Sequence, residues 1–327
     1  MAPLADELRD KLMTLDEALW ERRISGGRLD RWLSNFDGAA DPAKARLHAL
    51  YLASEFLYFG DREIRALLIA LYRDLYRYPI LAELRRTSNL KPGSDELGNL
   101  FATALANTRF LPLGNPSESS SLLLYYFRQE NGLDKRLFVN AHELLKGLAT
   151  GAPQLSFPSV RRYVYIDDFC GSGTQVKRYS REVIQALRAA ASAASSSIRI
   201  DYFPVVASSH GVAAVKKAGL FDRVEAVVEL DQSYRCFCPT ARQFVGAPSE
   251  IDKAYAEELC RQFGRDLMRG QPLGYRPGQL MLGFHHNTPN NTLPIFWCES
   301  NGPRRWRPLF RRYSKMEPQG PRDADKR

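Results

Sequence analysis

Two adjacent carboxylates, Asp167 and Asp168, close an apolar run of Tyr163, Val164, Tyr165 and Ile166, and a short stretch of small residues follows them: Gly171, Ser172, Gly173 and Thr174. Four apolar residues in a row read as a strand buried on both faces, which the acidic pair is predicted to end. From Val176 onward Tyr179, Val183, Ile184 and Leu187 recur at helical spacing, so a helix is predicted there. Glycines in a strand-to-helix loop let backbone amides approach an anion, and the free N–H groups at a helix start favour phosphate. A pair of acceptor-only groups suits the vicinal hydroxyls of a ribose, or the water shell of Mg²⁺. A sugar phosphate fits between the two. The bland alternative is a glycine-bearing turn, common in any doubly wound sheet. The stretch is not a Walker A loop, since no Gly-Lys-Ser/Thr follows, nor a dinucleotide fingerprint, since the GxGxxG spacing fails.

The elements that must position these residues alternate along the chain. Arg109–Leu113 reads as a strand, residues 114–121 as a loop and Leu122–Phe127 as the start of a helix, a second strand-loop-helix unit upstream of the acidic pair. Strands over Ile198–Ala207 and Val224–Leu230, with a helix over Gly211–Leu220 between them, predict right-handed crossovers and a parallel sheet. Ligands in such sheets sit at the carboxyl ends of strands, where Asp231 also falls, either as an acceptor-side contact or as a cap. A helix over Tyr255–Met268 and a strand over Gln279–Phe284 follow. His285 and His286 point to opposite faces of a strand and cannot share one simple metal site.

Residues 1–110 read as mainly helical. Asp41-Pro42 opens a helix with a stripe of Leu47, Leu50, Tyr51, Leu57 and Tyr58 that Gly60 ends, and Asp61 caps the next, carried by Ile64, Leu67, Leu68, Leu71, Tyr72, Leu75 and Tyr76. The joint between them suits either a DNA-reading helix-turn-helix or a helical cap that docks on the second domain or on a partner. Residues 91–98 read as a linker, which divides the chain into a helical domain over 1–92, a second domain over 93–313 and a disordered tail over 314–327.

With 327 residues, 44% hydrophobic and 25% charged, the composition is that of a globular protein with room for two domains. No apolar run is long enough to span a membrane and no signal peptide is evident, so the expectation is a cytoplasmic protein with no membrane partner. The five cysteines are odd in number and scattered, which predicts no disulfide framework. A net charge of +9 favours an anionic partner: a phosphorylated metabolite, nucleic acid or an acidic protein. Arg304, Arg305, Arg307, Arg311 and Arg312 cluster without interleaved base-stacking aromatics, the pattern of a solvated face.

The apolar run, Asp-Asp and Ser/Gly/Thr loop resemble the phosphoribosyl pyrophosphate (PRPP) signature of type I phosphoribosyltransferases. That resemblance implies an α/β, Rossmann-like parallel-sheet fold, here with an N-terminal all-helical domain. It implies that Asp167 and Asp168 meet the ribose, that Gly171, Ser172, Gly173, Thr174 and Gln175 hold the 5′-phosphate, and that Mg²⁺ arrives through ligand and water near the acidic pair. Gln175 departs from the hydroxyl residue usual in its slot. The upstream loop would cradle pyrophosphate with Gly114, Ser117, Ser119 and Ser120, with Arg128 the nearest cation. The wider pattern, Trp32-Leu33 with Phe36, DDFCGSGT, HHNTPNNTLPIFW and Trp306 with Pro308-Leu309-Phe310, resembles the phosphoribosyltransferase-like family of prokaryotic conflict systems (PRTase-CE). Its members are implied to be effectors in antiphage loci, some beside retron reverse transcriptases, so PRPP or a nucleotide, and nucleic acid or a partner protein of a defence locus, are the expected partners. A non-catalytic nucleotide or PRPP sensor is the alternative.

Overall fold

The computed structural model describes residues 2–25, 27–114, 119–147, 153–276, 278–300 and 305–313. Its α-helices are α1 (Ala2–Ala18), α2 (Arg28–Leu33), α3 (Pro42–Ser54), α4 (Asp61–Ala70), α5 (Tyr78–Ser88), α6 (Asp95–Ala106), α7 (Ser119–Glu130), α8 (Thr174–Ala193), α9 (Ser209–Lys217), α10 (Lys253–Leu267) and α11 (Pro294–Trp297). Its strands are β1 (Leu57–Phe59), β2 (Thr108–Pro112), β3 (Leu145–Lys146), β4 (Gln154–Leu155), β5 (Arg162–Cys170), β6 (Arg199–Ser208), β7 (Arg223–Val224), β8 (Val228–Leu230) and β9 (Leu282–Phe284). Contacts gather them into two units, residues 59–245 and the segments on either side of it. None of the described helices is long and apolar enough to cross a membrane.

The unit over 59–245 is an α/β layer built on a parallel sheet. β5 lies between β2 and β6, and β7 and β8 both pair with the outer side of β6. On the free side of β2 the chain returns as a parallel bridge, Phe110 to Phe138, with the Val139 amide donating to the Phe110 carbonyl at 3.1 Å. The chain therefore steps outward from β2, crosses back and continues through β5 and β6. That is the 2-1-3-4-5 arrangement, with the change of direction between β2 and β5. Helices cover both faces, as a right-handed path with one reversal requires. Leu111, Tyr163, Tyr165, Ile200 and Tyr202 pack with Val176, Ile184 and Leu187 of α8 and with Val212 and Val215 of α9. On the opposite face the Phe110 ring meets Phe127 of α7 at 5.2 Å and Tyr76 at 5.1 Å.

Those contacts move the domain boundary expected after residue 92. Helices α4 and α5 belong with the sheet: the Tyr76 hydroxyl donates to Thr108 Oγ1 at 2.8 Å, and Arg223 Nη1 donates to the Leu75 carbonyl at 2.7 Å. The second bond has a local cause. Pro79 lacks the N–H that an α-helix would aim at the residue four before it, and the helix passes through a π-helical segment over Leu71–Arg77. The arginine satisfies the carbonyl in that segment. Two further expectations change. Leu57 and Tyr58 are extended rather than helical, with the Leu57 amide donating to the Met281 carbonyl at 2.9 Å. Asp61 is the first residue of α4, not its cap, and its Oδ2 accepts from Arg65 Nε at 2.7 Å. Residues 314–327 lie outside the described residues.

In the other unit an aromatic core joins α2 to the far end of the chain. Trp32 stacks on Phe296 and donates its indole N–H to the Ile295 carbonyl at 2.7 Å. Asp41 caps α3 as expected, accepting from the Lys44 amide at 3.0 Å. His48, on the same helix, is fully buried: Nδ1 faces the Lys44 carbonyl at 2.8 Å, and Nε2 accepts from the Asp252 amide at 3.0 Å. Both nitrogens are thus committed to the neutral ring. Burial pushes its pKa below the ordinary value of 6.5, against the opposing pull of the Lys44 carbonyl. The unfolded chain then takes up the proton first, so stability present above about pH 6.5 is lost as the pH falls, by up to ~1.4 kcal/mol per pH unit. Melting followed from pH 7.5 down to 5 should show this loss, and His48→Gln should flatten it.

Candidate functional site

β5 does not stop at the acidic pair but runs on through it to Cys170, so Asp167 and Asp168 are both strand residues, with their carboxyl groups within hydrogen-bonding reach of each other. Asp167 shares the face of Tyr163 and Tyr165. It is only 6% exposed, and its Oδ2 accepts from the Tyr202 hydroxyl at 2.8 Å. Its Oδ1 accepts from the Asp168 amide at 3.1 Å. Burial, reinforced by the neighbouring Asp168 charge, raises the Asp167 pKa well above the carboxylate range, and the Tyr202 bond only partly opposes this. Cys170 lies in the same pocket of charge-poor surroundings, its thiol pushed up to about 12 by burial and then by Asp167. Asp168 is half-buried, with Oδ1 accepting from the Phe169 amide at 2.7 Å.

The loop after β5 is built on close backbone approach. Gly173 is the N-cap residue of α8 at φ 67, in the left-handed region that glycine tolerates. A Cβ there would lie 2.9 Å from Val215 Cγ2, and one on Gly211 would lie 2.4 Å from the Gly171 carbonyl oxygen. Ser208, the N-cap of α9, accepts from the Gly211 amide at 2.9 Å and donates to the Gly171 carbonyl. The loop is thereby clamped to the start of α9. Thr174 begins α8 two residues before the predicted start, with its Oγ1 3.1 Å from Ser172 Oγ, and Gln175 is exposed in the first turn.

On the neighbouring strand, the Leu113 amide donates to the Ile166 carbonyl at 3.1 Å, which carries the β2 pairing one step past Pro112. Gly114 then turns at φ 102 beside the acidic pair. The two loops that the sequence singled out thus leave adjacent parallel strands where the chain changes direction, the place where open α/β sheets form a ligand crevice.

A family model, PRTase-CE, matches residues 29–312. The chain belongs to the PRTase-CE family. A solved structure, the orotate phosphoribosyltransferase from Aeropyrum pernix, is similar at 13% identity and a TM-score of 0.24, over 49% of this chain and 74% of that one. No curated protein matches.

Not every residue expected at the site of this PRTase-CE chain reaches it. Ser117 lies outside the described residues; Ser119 and Ser120 open α7. Arg128 sits in the last turn of α7, roughly 13 Å along the helix from Ser119, and its guanidinium lies over the Tyr125 ring at 5.6 Å. Asp231 caps a 3₁₀ turn, accepting from the Ser233 amide at 2.8 Å and hydroxyl at 2.6 Å, bonds that lower its pKa. The capping alternative thus describes it. Among the described residues no three His, Cys, Asp or Glu side chains gather in a way that would hold a metal ion.

Tyr202, Ser208 and Gly211 were not singled out in the sequence. Ser208 three residues before Gly211 is a helix-start signal that was available. Tyr202 sat unmarked inside an apolar strand, and only the pairing of β5 with β6 places it under Asp167.

Two outcomes test this geometry. Gly211→Ala should cost about 1–3 kcal/mol, because the clash is with backbone rather than a flexible side chain, and thermal or urea unfolding reads it. Asp167, with its folded pKa raised, contributes stability that is present below about pH 3.9 and lost as the pH rises through the folded value. Asp167→Asn copies the protonated acid, so at pH 8 its melting temperature should equal or exceed that of the wild type, with the gap closing towards pH 4.

Proposed function

We propose that the crevice at the ends of β2 and β5 binds PRPP or a nucleotide with Mg²⁺, and that the chain transfers or removes a phosphoribosyl or nucleotide group. The observation that carries this is the placement of Gly114, the acidic pair and the Ser172–Thr174 helix start around one change of strand direction. In this reading the 5′-phosphate takes the amides at the start of α8, and the ribose hydroxyls meet the acidic pair. Family membership supports a phosphoribosyltransferase-like activity, and the resemblance to conflict-system effectors suggests antiphage defence, beside a retron or otherwise, as its setting.

The chemistry would be substitution at the anomeric carbon. The bond from C1 to the pyrophosphate oxygen breaks, the acceptor's lone pair forms the new bond to C1, and pyrophosphate departs with the electron pair. In this reading the half-buried Asp168 would face the positive charge developing on the ring, and the loop amides would fix the other end of the sugar. Mg²⁺, when bound, would neutralise the diphosphate. The described residues offer it no cage of side chains, but a half-buried carboxylate such as that of Asp168 would suit a hydrated ion carried in on substrate oxygens.

The exposed Gln175, in the slot where the resembled family has a hydroxyl, favours a second reading in which the pocket senses PRPP or a nucleotide without turnover. Calorimetry with PRPP, AMP, GMP and UMP in the presence of Mg²⁺ should give binding for at least one of them, and binding by none would dismiss both readings. Release of pyrophosphate from PRPP separates enzyme from sensor.

A further inference from the structure

The two carboxylates that look equivalent in the sequence occupy different environments. Asp167 points into the core under α8, and each of its oxygens accepts a protein hydrogen bond: the Tyr202 hydroxyl at 2.8 Å on Oδ2 and the Asp168 amide at 3.1 Å on Oδ1. At 6% exposure little of it is left for a ligand to touch. Tyr202 is itself fully buried, its ring 5.2 Å from that of Phe221, so its hydroxyl has little freedom to move. Asp168 is half-buried, more open than Asp167, and its carboxyl group is within hydrogen-bonding reach of the Asp167 carboxyl. The bond from the Asp168 amide back to Asp167 fixes the peptide between them, and with it the direction in which the Asp168 side chain leaves the strand.

We propose that the pair is divided in role: Asp168 meets the sugar hydroxyls, while Tyr202 and Asp167 are positioning residues that hold the Asp168 peptide in place. This rests on the ligand class proposed above. The core side of the device is a hydrogen-bonded chain, Tyr202 hydroxyl to Asp167 carboxyl to Asp168 amide, running from β6 into β5. The ligand side is a single carboxylate. An amide at position 167 would keep its one oxygen for the Asp168 amide and turn an N–H of the same size towards the tyrosine oxygen, which can accept it, whereas alanine would break the chain. Loss of the tyrosine hydroxyl would leave Asp167 with one donor fewer and let the peptide turn.

The test is calorimetric titration of the full chain with PRPP and with AMP, each with Mg²⁺, on wild type and variants whose folding is checked by circular dichroism. Asp168→Asn should weaken binding at least a hundredfold and Tyr202→Phe about tenfold. Asp167→Ala should also lose about tenfold, Asp167→Asn no more than about threefold, and Tyr202→Phe added to Asp167→Ala should cost nothing further, since both act through one chain. A purely structural tyrosine would show neither this rescue by asparagine nor the loss of its effect in the double variant. Equal losses for Asp167→Asn and Asp168→Asn, or wild-type affinity in Tyr202→Phe, would overturn the division. If Tyr202→Phe does not fold, the contrast between the two asparagine variants decides alone. A wild-type chain that binds neither probe sinks the ligand class itself, a result distinct from either failure among the variants.

Discussion

A carboxyl group buried without a counter-charge is the constraint around which the sheet-bearing unit is arranged. Its two innermost aspartates make the contrast plain. Asp201, fully buried near the start of β6, is met by Arg162 Nη1 at 2.6 Å and Arg199 Nε at 3.1 Å, so its charge is compensated within the fold. Asp167, at the other end of the sheet, has a phenol and a backbone amide as hydrogen-bond donors and a second carboxylate as its neighbour. Burial of that kind carries a penalty that folding alone gives no reason to accept. The fold spends stability at the strand ends and recovers it at the strand starts, where the arginines are.

The same polarity governs the helices. At the starts of the strands, Arg223 joins β7 to the π-helical segment before α5 and pairs with Glu225, so that edge is stitched by side chains. At the ends, contact is made by backbone: Gly171, Gly173, Ser208 and Gly211 interlock at distances that leave no room for a Cβ at 173 or 211. The glycines that read as phosphate-binding residues are required by packing as well. Their presence alone therefore does not argue for a ligand, and the argument rests on where the two loops stand relative to each other.

Much of this was legible in the sequence, and for definable reasons. β5 and β6 are near-continuous apolar runs, and α8 keeps its buried stripe at Val176, Ile184 and Leu187, so period and composition sufficed. The helix start at Asp41-Pro42 was written in local cap chemistry. What escaped depended on partners distant in the chain. Leu57 and Tyr58 carry apolar side chains compatible with helix or strand, and the Met281 carbonyl decides for extended backbone. The boundary after residue 92 rested on a turn-rich stretch, whereas Tyr76 and Leu75 are tied to residues 108 and 223. Within the site, the deeper burial of Asp167 depends on Tyr202 of the neighbouring strand, a partner 35 residues away that no local signal marks.

The bond from Ser208 to the Gly171 carbonyl has a thermodynamic side. Because Ser208 also caps α9, the loop after β5 is held in shape by a neighbouring helix and not by whatever occupies the crevice. Groups already ordered need not surrender conformational freedom when a ligand arrives. Such a preorganised cradle shifts discrimination onto shape: an anion that does not match the spacing of the loop amides cannot recruit a loop rearrangement to compensate, and the entropy that a floppy loop would have lost is already absent from the unliganded protein.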